Sequence, residues 1–215
     1  MGILIEGQVG PRVVQDGSNT ELRQARLGSL VTTPAHAVGY EAVSRQKMFT
    51  VGTAMAGTTV VAANAAPPAA ASATILSLYN PPCSGVVAVM MKCVIGNISG
   101  TPGVGAFTYC VSYGNTISAA QNVTPRCMYY GGSAPLCRGY SQTALTGGLV
   151  HVVLRPIGHA SFAGAIAATT PNMDFTDYLN GEIVIPQGGV LTIADCATGT
   201  SHVVWANFTW EEVPT

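Results

Sequence analysis

The stretch Val203-Val204-Trp205-Ala206-Asn207-Phe208-Thr209-Trp210-Glu211-Glu212 decides the fold. Its apolar positions recur with the period of two that sends successive side chains of a strand to opposite faces. Val204, Ala206, Phe208 and Trp210 share one face, which reads as core. Val203, Trp205, Asn207 and Thr209 share the other. A side chain as large as Trp205 on that second face predicts that this side is covered too, and another subunit suits it better than open solvent.

Upstream to Met48 the texture stays all-β. Short β-branched and aromatic runs alternate with Gly, Pro, Asn and Ser clusters. Strands are predicted at residues 47–53, 74–79, 86–95, 106–113, 149–154, 182–185, 190–194 and 203–212, with fainter pieces at 127–130 and 139–145. Breaks are expected at Asn80-Pro81-Pro82, at 96–103, at Gly131-Gly132, at Gly147-Gly148 and at Pro186-Gln187-Gly188-Gly189. The last is a turn in which glycine supplies positive φ. Residues 57–73, rich in Ala, Thr and Pro, read as a surface loop or extended connector. With no long helical pattern, the chain is expected to fold as an antiparallel β-sandwich or barrel.

Charge is spread unevenly. Nine of the charged residues lie in the first 47 positions. From Met48 to Met173 there are only Lys92, Arg126, Arg138 and Arg155, and no acid. Soluble domains average about 25% charged residues, whereas this chain has 9%. Interspersed surface charge is what keeps small domains apart in solution. So bare a body is expected to be covered by copies of itself or by a partner, which points to an assembly part before an enzyme.

Residues 1–47 form an N-terminal arm of mixed charge, distinct from the 48–215 body. Ser18-Asn19-Thr20-Glu21 matches a capping box, so a short helix over 19–27 ending at Gly28 is one reading. Pro11 and Pro34 favour the other, an extended arm lying on a neighbour. Its charges either dock through specific polar contacts or keep an ordinary surface wet. A net charge of −1 offers no basic face for nucleic acid. The most apolar stretch, 54–73, is interrupted by Gly57, Asn64, Pro67 and Pro68, so no membrane span is expected. Met1–Glu6 lacks a basic n-region, so export through a cleaved signal is not expected either. The six cysteines include no CxxC pair and read as buried thiols acting as small hydrophobes.

Catalytic signatures are sparse. There is no GxSxG, P-loop, HExxH or GxGxxG, and no catalytic residue, cofactor or metal is assigned. His151, in the apolar run 149–154, reads as an ordinary strand histidine. Asp174 and Asp177 form the one acidic pair of the middle region, in an expected loop. With Glu182 they would make a thin Ca²⁺ site; a hydrated loop is the default. A hydrolase would have to use His151, Asp174 and Asp177. Arg126, Arg138 and Arg155 either pair with acids of a neighbouring subunit or serve as solubilising surface charges.

Two segments carry a resemblance. Gly10-Pro11-Arg12-Val13-Val14-Gln15-Asp16-Gly17 with Leu22-Arg23-Gln24-Ala25-Arg26-Leu27-Gly28, and the ending from Asp195 to Trp210-Glu211-Glu212-Val213-Pro214, resemble small virion structural proteins of tailed bacteriophages. Leu78-Tyr79-Asn80-Pro81 and Gly181-Glu182-Ile183-Val184-Ile185-Pro186 extend the likeness through the middle. The resemblance implies a jelly-roll-like β-sandwich with an extended N-terminal arm. It implies a homo-oligomer, in such proteins often a trimer, seated on the capsid surface or on tail parts. As a capsid decoration or cement protein the chain would bind the major capsid protein. Arg12, Arg23, Arg26, Arg126, Arg138, Arg155 and Trp205 are the expected partner contacts. The competing role is a tail or head-fibre part that binds host glycans through Tyr129, Tyr130 and Tyr140.

Overall fold

The computed structural model describes residues 39–54, 56–61, 74–100, 105–114, 116–117, 122–141, 145–146, 152–160, 174–197 and 201–215. The expected helix at 19–27, Arg12, Arg23, Arg26 and His151 lie outside them. A short helix, α1 (Tyr40–Ser44), precedes β1 (Met48–Gly52) and β2 (Thr58–Val61). Three longer strands follow, β3 (Thr74–Tyr79), β4 (Val86–Gly100) and β5 (Gly105–Tyr113). Short pieces come next: β6 (Thr116–Ile117), β7 (Asn122–Val123), β8 (Arg126–Cys127), β9 (Arg138–Ser141) and β10 (Leu145–Thr146). The chain ends with β11 (Val152–Ala160), β12 (Asp174–Tyr178), β13 (Val184–Ile185), β14 (Gly189–Ala197) and β15 (Ser201–Pro214).

Two antiparallel sheets face each other across one core. The first runs β12-β4-β15-β1-β8, with β13 also on β4 and β2 also on β15; the second runs β11-β5-β14-β3-β9-β7. Among the long described strands the pairing is nested. β1 pairs with β15, β3 with β14, β4 with β12 and β5 with β11. First meets last and each inner pair lies inside the one before, as in a single long hairpin rolled up on itself. That nesting, split between two sheets, is the jelly roll.

The final strand sits at the centre of the first sheet, between β4 and β1. Val204, Ala206, Phe208 and Trp210 are buried, as the alternation predicts. Trp210 packs on Phe49 with ring centroids 5.9 Å apart. Met90 and Ile95 of β4 meet Leu76, Leu78, Tyr109, Leu191 and Ile193 from the second sheet in the same cluster. Burial of each large side chain contributes about 1.5–3 kcal/mol. The outward face of the second sheet also holds buried residues, a mixture of polar groups with Tyr140 and Val190. The Ser77 and Thr192 hydroxyls, both buried, bond each other at 2.9 Å, which removes the cost of hiding them.

Four segments depart from the expected strands. Residues 174–178, expected as a loop, form edge strand β12 on β4. Phe175 faces Phe107 of the second sheet while Asp174, Thr176 and Tyr178 are exposed, and polar groups on an edge discourage further pairing. Thr58–Val61 of the expected connector forms β2 against β15, as its β-branched residues favour; 62–73 lies outside the described residues. β4 does not stop at Gly96 but runs to Gly100. Gly96 is needed within it, because Trp205 and Asp174 crowd the place a Cβ would take. The expected strand 149–154 is β11, running from Val152 through Pro156 to Ala160, which an edge strand tolerates.

Asn80 ties one end of the sandwich together. Its amide nitrogen donates to the carbonyls of Val86 (2.8 Å) and Ile185 (3.1 Å), and its amide oxygen accepts from Ser84 Oγ at 2.6 Å. Its backbone oxygen accepts from Gly188 N at 2.7 Å and its backbone nitrogen donates to Gly189 O at 3.0 Å. Gly188, at φ 80°, makes the turn at Pro186–Gly189, and that turn carries the chain from one sheet to the other. Asn80→Ala removes the side-chain donor to the Ile185 carbonyl and the shorter of two to the Val86 carbonyl, and is expected to lower stability by about 2–4 kcal/mol. Urea unfolding checks this, with an unchanged m-value expected.

Candidate functional site

The two lateral edges of the sandwich are built differently. On one side β11 and β12, the edge strands of the two sheets, are clasped by an ion pair. Arg155 Nη2 lies 2.8 Å from Asp177 Oδ2 and 3.6 Å from Glu182 Oε2. The guanidinium sits 5.4 Å from the Tyr109 ring centroid, and the Tyr109 hydroxyl donates to Asp177 at 3.1 Å. Burial, with Cys93 and Asp177 beside it, pushes that hydroxyl far above the ordinary phenol range. Burial likewise raises the Cys93 thiol to about 12. Arg155 therefore finds its acids within its own chain. A guanidinium occupies the place where Asp177 and Glu182 would hold a cation. Asp174 and Asp177, three apart on a strand, point to opposite faces, so they form no paired-carboxylate site. Among the described residues no group of three or more His, Cys, Asp or Glu is placed to hold a metal ion.

Beside this clasp the seam between the sheets gapes. A groove of about 480 Å³ opens between β5, β11 and β13. Val111, Tyr113, Val152, Leu154, Val184 and Pro186 line it, with Glu182 among the lining groups. Val152 is 59% exposed, and Tyr113, Leu154 and Val184 are about half exposed. Apolar side chains left open together mark a binding surface more often than chance exposure.

The opposite side carries a projecting loop, residues 128–137, between β8 and β9. Met128, Tyr129, Tyr130 and Leu136 are exposed on it, Tyr130 completely. The loop is tied down from beneath by Glu212, which is only 4% exposed. Its carboxylate accepts from Leu136 N at 2.9 and 3.0 Å and from Cys137 N at 2.8 Å. Trp210 Nε1 adds a bond at 3.4 Å. Met128 N donates to Met48 O, and Ser133 N to Gln46 Oε1. A turn closed by Gly132 N to Tyr129 O, with Gly131 at φ 79°, holds Tyr130 at its tip. Lys47, Arg126 and Arg138 are exposed around this edge: Lys47 just before β1, Arg126 on β8 and Arg138 on β9. Tyr140 is buried on β9 and takes no part. Trp205, half-buried on the outer face of the first sheet, lies over Gly96 and borders a shallow hollow with Gly52, Ala54, Val94 and Asn207.

Two arrangements escaped the sequence. His202 Nε2 lies 3.1 Å from Asp195 Oδ2, both fully enclosed, with the Phe107 ring 6.3 Å from the imidazole. A base and its orienting carboxylate are thus present, but inside the core, where no substrate reaches them. The thiols are all free, and they differ. Cys93, Cys110 and Cys137 are buried as expected, whereas Cys83 is exposed. Thr108 Oγ1 bridges Cys196 (3.2 Å) and Cys110 (3.6 Å). A hydrogen bond from Cys110 holds the half-buried Cys196 thiol below the usual range, while the same bond and burial raise Cys110.

No protein-family model matches the chain, and no curated protein or solved structure matches it either.

Glu212→Ala removes the acceptor for two loop N–H groups and is expected to cost about 2–4 kcal/mol. Faster amide exchange at Leu136 and Cys137 would report the released loop. For the thiols, iodoacetamide at neutral pH is expected to alkylate Cys83 and Cys196. Cys93, Cys110 and Cys137 should react only after unfolding. Because a lowered pKa shifts thiolate to lower pH, Cys196 should retain reactivity down to about neutral pH; peptide mass mapping reads out the alkylated positions.

Proposed function

We propose that the chain is a structural virion protein of a tailed bacteriophage, a capsid decoration or cement protein. In this reading it assembles with copies of itself, as a trimer, and stabilises the shell by binding the major capsid protein. The observation that carries it is a sparsely charged jelly roll with apolar surface left open on both lateral edges. Jelly rolls serve capsids, lectins and cupins alike, so the fold by itself does not choose among them. The sequence resemblance to small phage virion proteins supports the capsid reading among them.

The mechanism is contact rather than chemistry. Each apolar contact contributes about 25 cal/mol per Å² before ordering costs. Repetition on a symmetric lattice multiplies modest single-site affinity. Arg126 and Arg138, exposed on β8 and β9, are available for carboxylates of a partner.

One observation favours a second reading, a tail or head-fibre part that binds host glycans. Tyr129 and the wholly exposed Tyr130 offer ring faces on which a sugar can stack. The buried Tyr140 leaves that platform smaller than the sequence promises.

Quantitative mass spectrometry and cryo-EM of virions from the source of this chain separate the two. Decoration predicts many copies in a symmetric array on the capsid surface. A handful of copies confined to the tail, or absence from the particle, would overturn it.

A further inference from the structure

We propose that copies of this chain dock head to tail, the Tyr129–Tyr130 loop of one entering the groove between β11 and β13 of the next. The inference rests on the self-assembly part of the decoration reading and gives it a surface.

The two features are complementary in shape. One is a convex loop tipped by a fully exposed tyrosine; the other is a cavity of about 480 Å³ with apolar walls. A tyrosine enclosed in such a site buries about 150–250 Å², and anchors of this type dominate interface energetics. Met128 and Leu136 flank the tip and would meet the exposed Val152, Leu154 and Val184 around the opening.

They are complementary in charge as well. Lys47, Arg126 and Arg138 are exposed near the loop. Of the acids on this side, Glu212 is buried and committed to backbone N–H groups, and Glu211 is half-buried. At the groove, Glu182 has a side chain 68% exposed and only a long contact of 3.6 Å to Arg155. Asp174, opposite Gly96 at the far end of that edge, lies away from the groove. Arg155 and Lys92 lie on this side too, but Arg155 is held by Asp177 at 2.8 Å. The groove rim thus presents an exposed acid with one long contact, and the loop edge presents exposed cations.

The fold also sets their direction. β12 and β8 are the opposite ends of the first sheet. Loop and groove therefore face away from each other and cannot meet within one copy. A symmetric contact would put cations against cations, so the favoured contact is heterologous, which makes a ring whenever its rotation closes. Because Glu212, Gln46 and Met48 already fix the loop, little ordering cost remains at binding.

The test uses the full chain with p-benzoylphenylalanine at position 130, in an equal mixture of ¹⁵N-labelled and unlabelled protein. Photocrosslinks are expected from position 130 to residues 152–154 or 182–186 of a different copy. Sedimentation velocity should show an oligomer that Tyr130→Ala and Glu182→Lys each weaken by about tenfold or more in Kd, or about 1.4 kcal/mol. Arg126→Glu should restore association to Glu182→Lys. Both sites are exposed, so unchanged melting temperatures are expected and separate docking from folding. Sedimentation as a monomer throughout the micromolar range, crosslinks from position 130 to position 130, or an oligomer indifferent to both substitutions would each overturn the proposal. A monomer that still coats virions would sink the docking alone. A ring missing from virions would support the docking and sink the decoration role.

Discussion

A carboxylate folded beneath a loop governs the exposed surface of this protein. Glu212 is almost wholly enclosed and accepts the backbone N–H groups of Leu136 and Cys137. A buried charge is costly unless hydrogen bonds replace its water, and those donors provide the replacement. The consequence runs outward: the β8–β9 loop cannot collapse onto the core, so Met128, Tyr129 and Tyr130 stay in solvent. The same carboxylate, together with burial, lifts the Cys137 thiol above the ordinary range and keeps it inert.

The nested pairing explains why the two edges differ. Rolling one long hairpin places the chain's middle strands, β11 and β12, at one side and leaves β1 beside the short β8 at the other. On the first side both edge strands are long and meet across the sandwich through Arg155, Asp177 and the packing of Phe175 on Gly158. Farther along, the shorter β13 continues that edge on β4, and there the seam stays open as a groove. On the second side β9 is drawn against β1, where Gly139 lies so close to Val51 that no Cβ would fit. That closure is tight, and its connecting loop has nowhere to go but outward.

Much of this is legible in the sequence where periodicity is strong. Residues 74–79 and 203–212 declare their strands because apolar side chains recur on one face with nothing to confuse the count. Asp174–Tyr178 does not, since an edge strand that half-buries Phe175 and Asp177 and exposes the rest reads like a loop. Trp205 is rightly assigned outward, but its cover, Gly96 and Asp174 of its own sheet, emerges only with the register of β15 on β4. The pair His202–Asp195 joins strands of different sheets, and no spacing along the chain reveals which strands will face each other. Arg155 has no acid close to it in sequence, for the same reason.

Edge management narrows the ways such a body can associate. A long open strand would invite sheet-to-sheet addition, and this fold blocks it at each end. β11 carries Pro156 and two register shifts, which remove a donor and twist the ladder. β12 shows Asp174 and Thr176 to solvent, and β7 and β8 are two residues long. With backbone pairing closed off, association must proceed through side chains. The exposed side chains able to supply apolar area are concentrated in the groove and on the loop. In the proposed assembly, a chain with so few charges to keep its copies apart would use one kind of contact, convex into concave, instead of open-ended growth along its strands.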